Sequence, residues 1–156
     1  MSDAAMIIAG AIACLGLSGV GSALGTGLAA SAAVGSWKKC YAAGKPAPFL
    51  LLSFVGCPIT QTLYGMILMF VMLGKVSVCA EGTGVPALIA GIFAGLAIGM
   101  SAVLQGRAAA AACDSQAETN QGFTNYLAAL GIVETVAIFA MVFALIALGS
   151  LPTVAA

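Results

Sequence analysis

Glu134 is the only charged residue in the apolar stretch from Gly122 to Gly149. A carboxylate at mid-bilayer depth costs about 2.5–3.5 kcal/mol on insertion scales, so it persists where it is paired, neutralised or used. Polar residues near the middle of the other apolar stretches narrow that choice. Thr60, Gln61 and Tyr64 lie within five residues, with Thr60 and Tyr64 four apart on one helix face and Gln61 beside them. Gln105 stands at a comparable depth in the third stretch. Several oxygens around one carboxylate suit a hard cation such as Na⁺, whereas H⁺ needs only the carboxyl group and a hydrogen-bond partner. Pro58 adds to the pattern: it lacks an N–H, so the Phe54 carbonyl loses its helical partner and either faces an ion or marks a kink.

Each of these residues has a plainer reading. Gln and Thr in apolar helices serve as interhelical hydrogen-bond glue. Arg107, two residues after Gln105, either snorkels to the interface or pairs with Glu134. Gly19, Gly21 and Gly25 have a spacing close to a dinucleotide fingerprint, but Leu24 occupies the third glycine's place and no strand precedes them. They predict close helix packing.

The elements that must position this cluster are membrane helices. The chain of 156 residues is 62% hydrophobic and 6% charged, against roughly 25% charged in a soluble domain. Apolar stretches at about 4–35, 48–73, 85–113 and 122–149 each exceed the roughly 20 residues that cross a bilayer. Their extra length predicts tilt or helical ends in water. The connectors 36–47, 74–84 and 114–121 hold seven of the ten charged residues. Zero net charge and only three clustered lysines exclude nucleic acid as a partner. The five cysteines have no CxxC pair and there is no histidine, which argues against zinc or a disulfide framework. The first apolar run is too long for a signal peptide and lacks a basic lead-in, so it is a permanent span.

The sequence is also written twice. A shift of 79 residues lays Gly16, Leu17, Ser22, Ala23 and Gly27 on Gly95, Leu96, Ser101, Ala102 and Gly106. A shift of 73 lays Gln61-Thr62 on Glu134-Thr135, so the expected fold is an all-α membrane protein of two tandem hairpins, 1–79 and 80–156. Gly and Ala fill 17 of 32 positions in 4–35 and 14 of 29 in 85–113, but 48–73 holds only two glycines among bulky residues. Small residues let backbones approach in lipid, so the first helix of each hairpin should pack inside and the second outside. That division suits a closed ring. Lys38, Lys39 and Lys45 place the first loop in the cytoplasm and both termini on the other side.

The duplicated hairpin, the Gly/Ala-rich leading helices and Val133-Glu134-Thr135 resemble the proteolipid of the V-type ATPase rotor, over essentially the whole chain. Pro58-Ile59-Thr60-Gln61-Thr62-Leu63-Tyr64-Gly65 and Leu104-Gln105-Gly106-Arg107 resemble its sodium-translocating bacterial form. The resemblance implies a non-catalytic subunit that binds one Na⁺ per protomer, with no other cofactor. Its ligands would be Glu134, Thr60, Gln61, Gln105 and the Cys57 backbone carbonyl, with Tyr64 hydrogen-bonding the carboxylate. It further implies identical copies in a ring in the cell membrane, a stator protein with a membrane arginine, and central-stalk proteins at the cytoplasmic loops. Arg107 and Ala137 depart from residues common in the family, though neither is a ligand position. Three alternatives stand beside this one. They are an H⁺-translocating rotor subunit, a small four-helix secondary transporter, and a structural tetraspan in which Glu134 pairs with Arg107.

Overall fold

The computed structural model describes residues 2–154; Met1, Ala155 and Ala156, the outermost residues of the two expected hairpins, lie outside the described residues. The chain is helical almost throughout. Helix α1 runs Asp3–Ala42, α2 Leu51–Gly56, α3 Thr60–Lys75, α4 Gly84–Thr119 and α5 Phe123–Gly149. A 3₁₀ turn at Cys57–Ile59 joins α2 to α3, making one broken span. Among the described residues there are thus four segments long and apolar enough to cross a membrane. Every span but α5 outlasts its hydrophobic stretch on at least one side, and the connectors shrink accordingly. At 40 residues α1 is about 60 Å long, roughly twice the hydrocarbon core, and is long enough for its Lys38–Lys39 end to extend past the lipid.

Local chemistry sets the ends. The Ser2 hydroxyl caps α1 by accepting the Ala5 N–H at 3.3 Å. Asn120 (φ 53°) closes α4 in the left-handed region, and Gly122 (φ 84°) opens α5. Thr83 gives α4 no side-chain cap. The cap comes instead from α1: the Asp3 carboxylate accepts the N–H groups of Gly82 and Gly84 at 2.9 and 2.8 Å. At the same end a single antiparallel bridge, Cys79 with Thr153, ties the tail after α5 to the connector before α4.

Inside, α1 and α4 run parallel and in register, with glycine facing backbone. A Cβ on Gly21 would collide with the Gly99 backbone, and one on Gly106 with the Gly25 backbone. Such approach maximises dispersion contacts where lipid offers no hydrophobic drive. The broken span lies antiparallel to α1, with Gly65 against Ser18 and Pro58 against Gly25. Helix α5 leans on α4 and α3 and leaves Ile132, Phe139, Phe143 and Ile146 mostly exposed. Small inner and bulky outer helices follow the expected division.

Two apolar clusters fill the interior. One joins Ile7, Cys14, Leu68, Met72, Ile98 and Leu148. The other, toward the long ends of α1 and α4, joins Ala29, Leu51, Phe54, Ala109, Cys113 and Leu130, with Phe123 packed 5.3 Å from the Phe54 ring. Between them in chain register lies a polar layer.

Candidate ion-binding site

The break at Pro58 builds one wall of that layer. The Phe54 carbonyl, expected to be free, is taken by the Cys57 N–H in the tighter 3₁₀ hydrogen bond. Proline removed one donor and the turn supplied another. The carbonyl brought to the site is that of Cys57, which accepts the Thr60 N–H and lies 3.0 Å from Thr60 Oγ1. Helix α3 then starts at Thr60 and turns Thr60, Gln61 and Tyr64 toward α4 and α5.

Glu134 meets them half-buried on α5. Its Oε1 accepts the Tyr64 hydroxyl at 2.6 Å and the Thr60 hydroxyl at 2.7 Å. Its Oε2 accepts Gln105 Nε2 at 3.3 Å. Gln61 and Gln105 are fully buried, and Gln61 Nε2 donates to Gln105 Oε1 at 2.7 Å. The repeat put Gln61 and Glu134 at equivalent places; in space Gln105 stands between them. All six residues singled out in the sequence thus converge, Cys57 through its main chain.

The arrangement has more oxygen than hydrogen. Thr60 Oγ1 lies 2.7 Å from Glu134 Oε1, 3.0 Å from the Cys57 carbonyl and 3.2 Å from Gln61 Oε1. A hydroxyl has one proton, so Thr60 serves one of these three at a time; the Cys57 carbonyl also takes the Thr60 N–H and the Glu134 oxygen the Tyr64 hydroxyl, which leaves Gln61 Oε1 dependent on Thr60. Oxygens at this spacing around a carboxylate form a cradle of the kind that holds a small hard cation. Charge and hard ligands point the same way.

Arg107 takes no part. Its side chain is exposed, and among the described residues the ion pairs are those of Lys39 with Asp114 (2.7 Å) and Glu118 (3.5 Å) at the far ends of α1 and α4. The Arg107–Glu134 pair weighed from the sequence is therefore not formed. Sequence reasoning missed two supports. Ser101 donates to the Val133 carbonyl at 3.0 Å, and Gln105 Nε2 to the Leu130 carbonyl at 3.0 Å, which fasten α5 to α4 over the turn that leads into the acid. The Ser22–Ser101 match in the repeat was the available signal for the first.

Comparison with curated proteins yields no match. Residues 88–147, most of α4 and α5 with Gln105 and Glu134, match the family model for the C subunit of ATP synthase. Over that second hairpin the chain is similar to the c-type proteolipids, the ion-carrying, non-catalytic membrane proteins whose copies form the rotor rings of ATP synthases.

Proposed function

We propose that the chain is the ion-carrying proteolipid of a V-type rotary ATPase and that each copy takes up one Na⁺ at Glu134. The gathering of Cys57 O, Gln61 Oε1 and Glu134 Oε1 within 3.2 Å of Thr60 Oγ1 carries this reading. A proton site has no use for so many acceptors. Gln105 belongs to the same site through its hydrogen bonds to Gln61 and the carboxylate.

Loading neutralises the acid, so the occupied site can pass through lipid without a bare charge. In a ring of identical copies, rotation carries the loaded site round the bilayer to a stator. There a fixed membrane arginine displaces the cation and pairs with the emptied carboxylate. Moving one elementary charge against 100 mV costs about 2.3 kcal/mol, supplied by ATP hydrolysis on other subunits and transmitted by central-stalk proteins at the cytoplasmic loops. The lysine-rich end of α1 is the cytoplasmic one in this scheme, and both termini face outward.

The test is the rate at which a hydrophobic carbodiimide modifies Glu134, with and without Na⁺. The reagent needs the protonated carboxyl, so a bound Na⁺ should slow it at fixed pH. A rate that answers to pH but to no concentration of Na⁺ would overturn the choice of ion and leave a proton carrier.

A further inference from the structure

Two cavities adjoin at the end of the molecule where α1 and α4 both finish. The larger, of about 560 Å³, is lined by Lys45, Pro46, Pro48, Leu50, Gln116 and Glu118 among others. The smaller, of about 130 Å³, is bordered by Ser36 and Lys39 and shares Lys45 and Glu118 with the first. Each has a buried polar group on its wall. Ser36 and Gln116 are both 2% exposed, and neither Ser36 Oγ nor Gln116 Oε1 has a hydrogen-bond partner. A buried polar atom left in that state costs about 1–3 kcal/mol, which a ligand supplying the partner would relieve. Lys45 makes no ion pair among the described residues, and Lys39 reaches Glu118 at 3.5 Å through one carboxylate oxygen.

The two cavities ask for opposite charges. Around the larger stand acceptors: Gln116 Oε1, the Glu118 carboxylate and the carbonyl end of α4, the negative pole of its dipole. Around the smaller stand donors, the ammonium groups of Lys39 and Lys45 and the Ser36 hydroxyl. An ammonium with a phosphate a few atoms away answers both. The surroundings are those of a membrane interface. The Trp37 indole N–H donates to the Pro48 carbonyl at 2.9 Å, and Tyr41 and Phe49 are 70% and 80% exposed, as aromatic rings are where a helix leaves the bilayer. We propose that the paired cavities form a headgroup site for an ethanolamine phospholipid of the leaflet at the Lys38–Lys39 end, its ammonium on Gln116 and Glu118 and its phosphate on Lys45 and Ser36. A lysine of a partner protein would supply the ammonium and leave Lys45 and Ser36 without a phosphate. Gln116 lies about 16 Å along α4 beyond Gln105, so the site is the same whether Glu134 carries Na⁺ or H⁺.

The experiment places the assembled complex in nanodiscs of equal parts phosphatidylethanolamine, phosphatidylcholine and phosphatidylglycerol. It then extracts the complex in mild detergent and counts the phospholipid retained per chain by mass spectrometry. Phosphatidylcholine keeps the positive charge and lacks the N–H donors that Gln116 Oε1 needs; phosphatidylglycerol lacks the ammonium. The ethanolamine lipid should be retained in about tenfold preference to both. Gln116→Leu should abolish its preference over phosphatidylcholine, and Lys45→Gln should lower retention of all three; Gln116→Met replaces Gln116→Leu should that variant not assemble. Equal retention of the ethanolamine and choline lipids by the wild type would overturn the proposal. A preference untouched by Gln116→Leu would place the lipid elsewhere on the complex and overturn it too. Free phosphoethanolamine displacing the lipid at equal concentration would make the ligand a soluble one. Variants that shed the cytoplasmic partner proteins while keeping their ethanolamine lipid would make the cavities a protein socket, and either result would overturn the lipid assignment.

Discussion

At the scale of single residues, the Thr60 hydroxyl is the hub of the site, with three acceptors within 3.2 Å. Thr60→Val keeps the shape and deletes that oxygen. Protection of Glu134 by Na⁺ should weaken by about tenfold or more, while Thr60→Ser should keep it, read by carbodiimide labelling. Glu134→Gln should abolish ion transport and leave assembly intact, since an amide can still accept from Tyr64 and Thr60. Near-normal behaviour of that variant would favour a structural tetraspan. The residue types were legible in the sequence because an acid, two amides and two hydroxyls gathered at one depth are more than interhelical glue requires. Their order across the bundle was not, because no spacing along one helix records which side chain on another it faces. The Phe54 carbonyl shows the same limit from a different side. Proline's missing N–H is written in the sequence, but which neighbouring N–H replaces it depends on the pitch the turn adopts.

At the scale of helices, close backbone approach makes α1 and α4 a single unit. Gly21→Ala would place a methyl group against the Gly99 backbone, which has no side chain to move aside. It should destabilise the protein by several kcal/mol, seen as a fall in its thermal unfolding temperature in detergent. Gly131→Ala, on the open face of α5 with nothing within 4 Å of the new carbon, should be neutral or slightly stabilising. Pro58→Ala should let α2 and α3 join into one regular helix, draw the Cys57 carbonyl back into the ladder and weaken Na⁺ protection of Glu134, with the chain still folded. The four spans were readable from hydropathy, and the inner and outer roles from the share of small residues. Helix ends were not: α4 continues to Thr119 through Asp114, Ser115 and Glu118, where polarity marks the end of lipid rather than the end of helix.

At the scale of the whole molecule, the two halves are held together at both membrane faces. On one side Asp3 caps α4; on the other Lys39 bridges to Asp114 and Glu118. Asp3→Ala should leave the amides of Gly82 and Gly84 without their acceptor, and hydrogen exchange there should quicken while exchange in the middle of α4 stays slow. The internal repeat predicted equivalent halves, and α1 and α4 do lie side by side in register. It could not announce a clamp made by residues outside the repeated pattern. The two halves also differ in the one place that matters for energetics, since Gln61 occupies in the first the position that Glu134 holds in the second. In a rotor assembled from such chains, half of the hairpins travel as unloaded spokes. The gearing is therefore low: a given torque is divided among fewer passengers per revolution, and each can be driven up a proportionately steeper electrochemical slope.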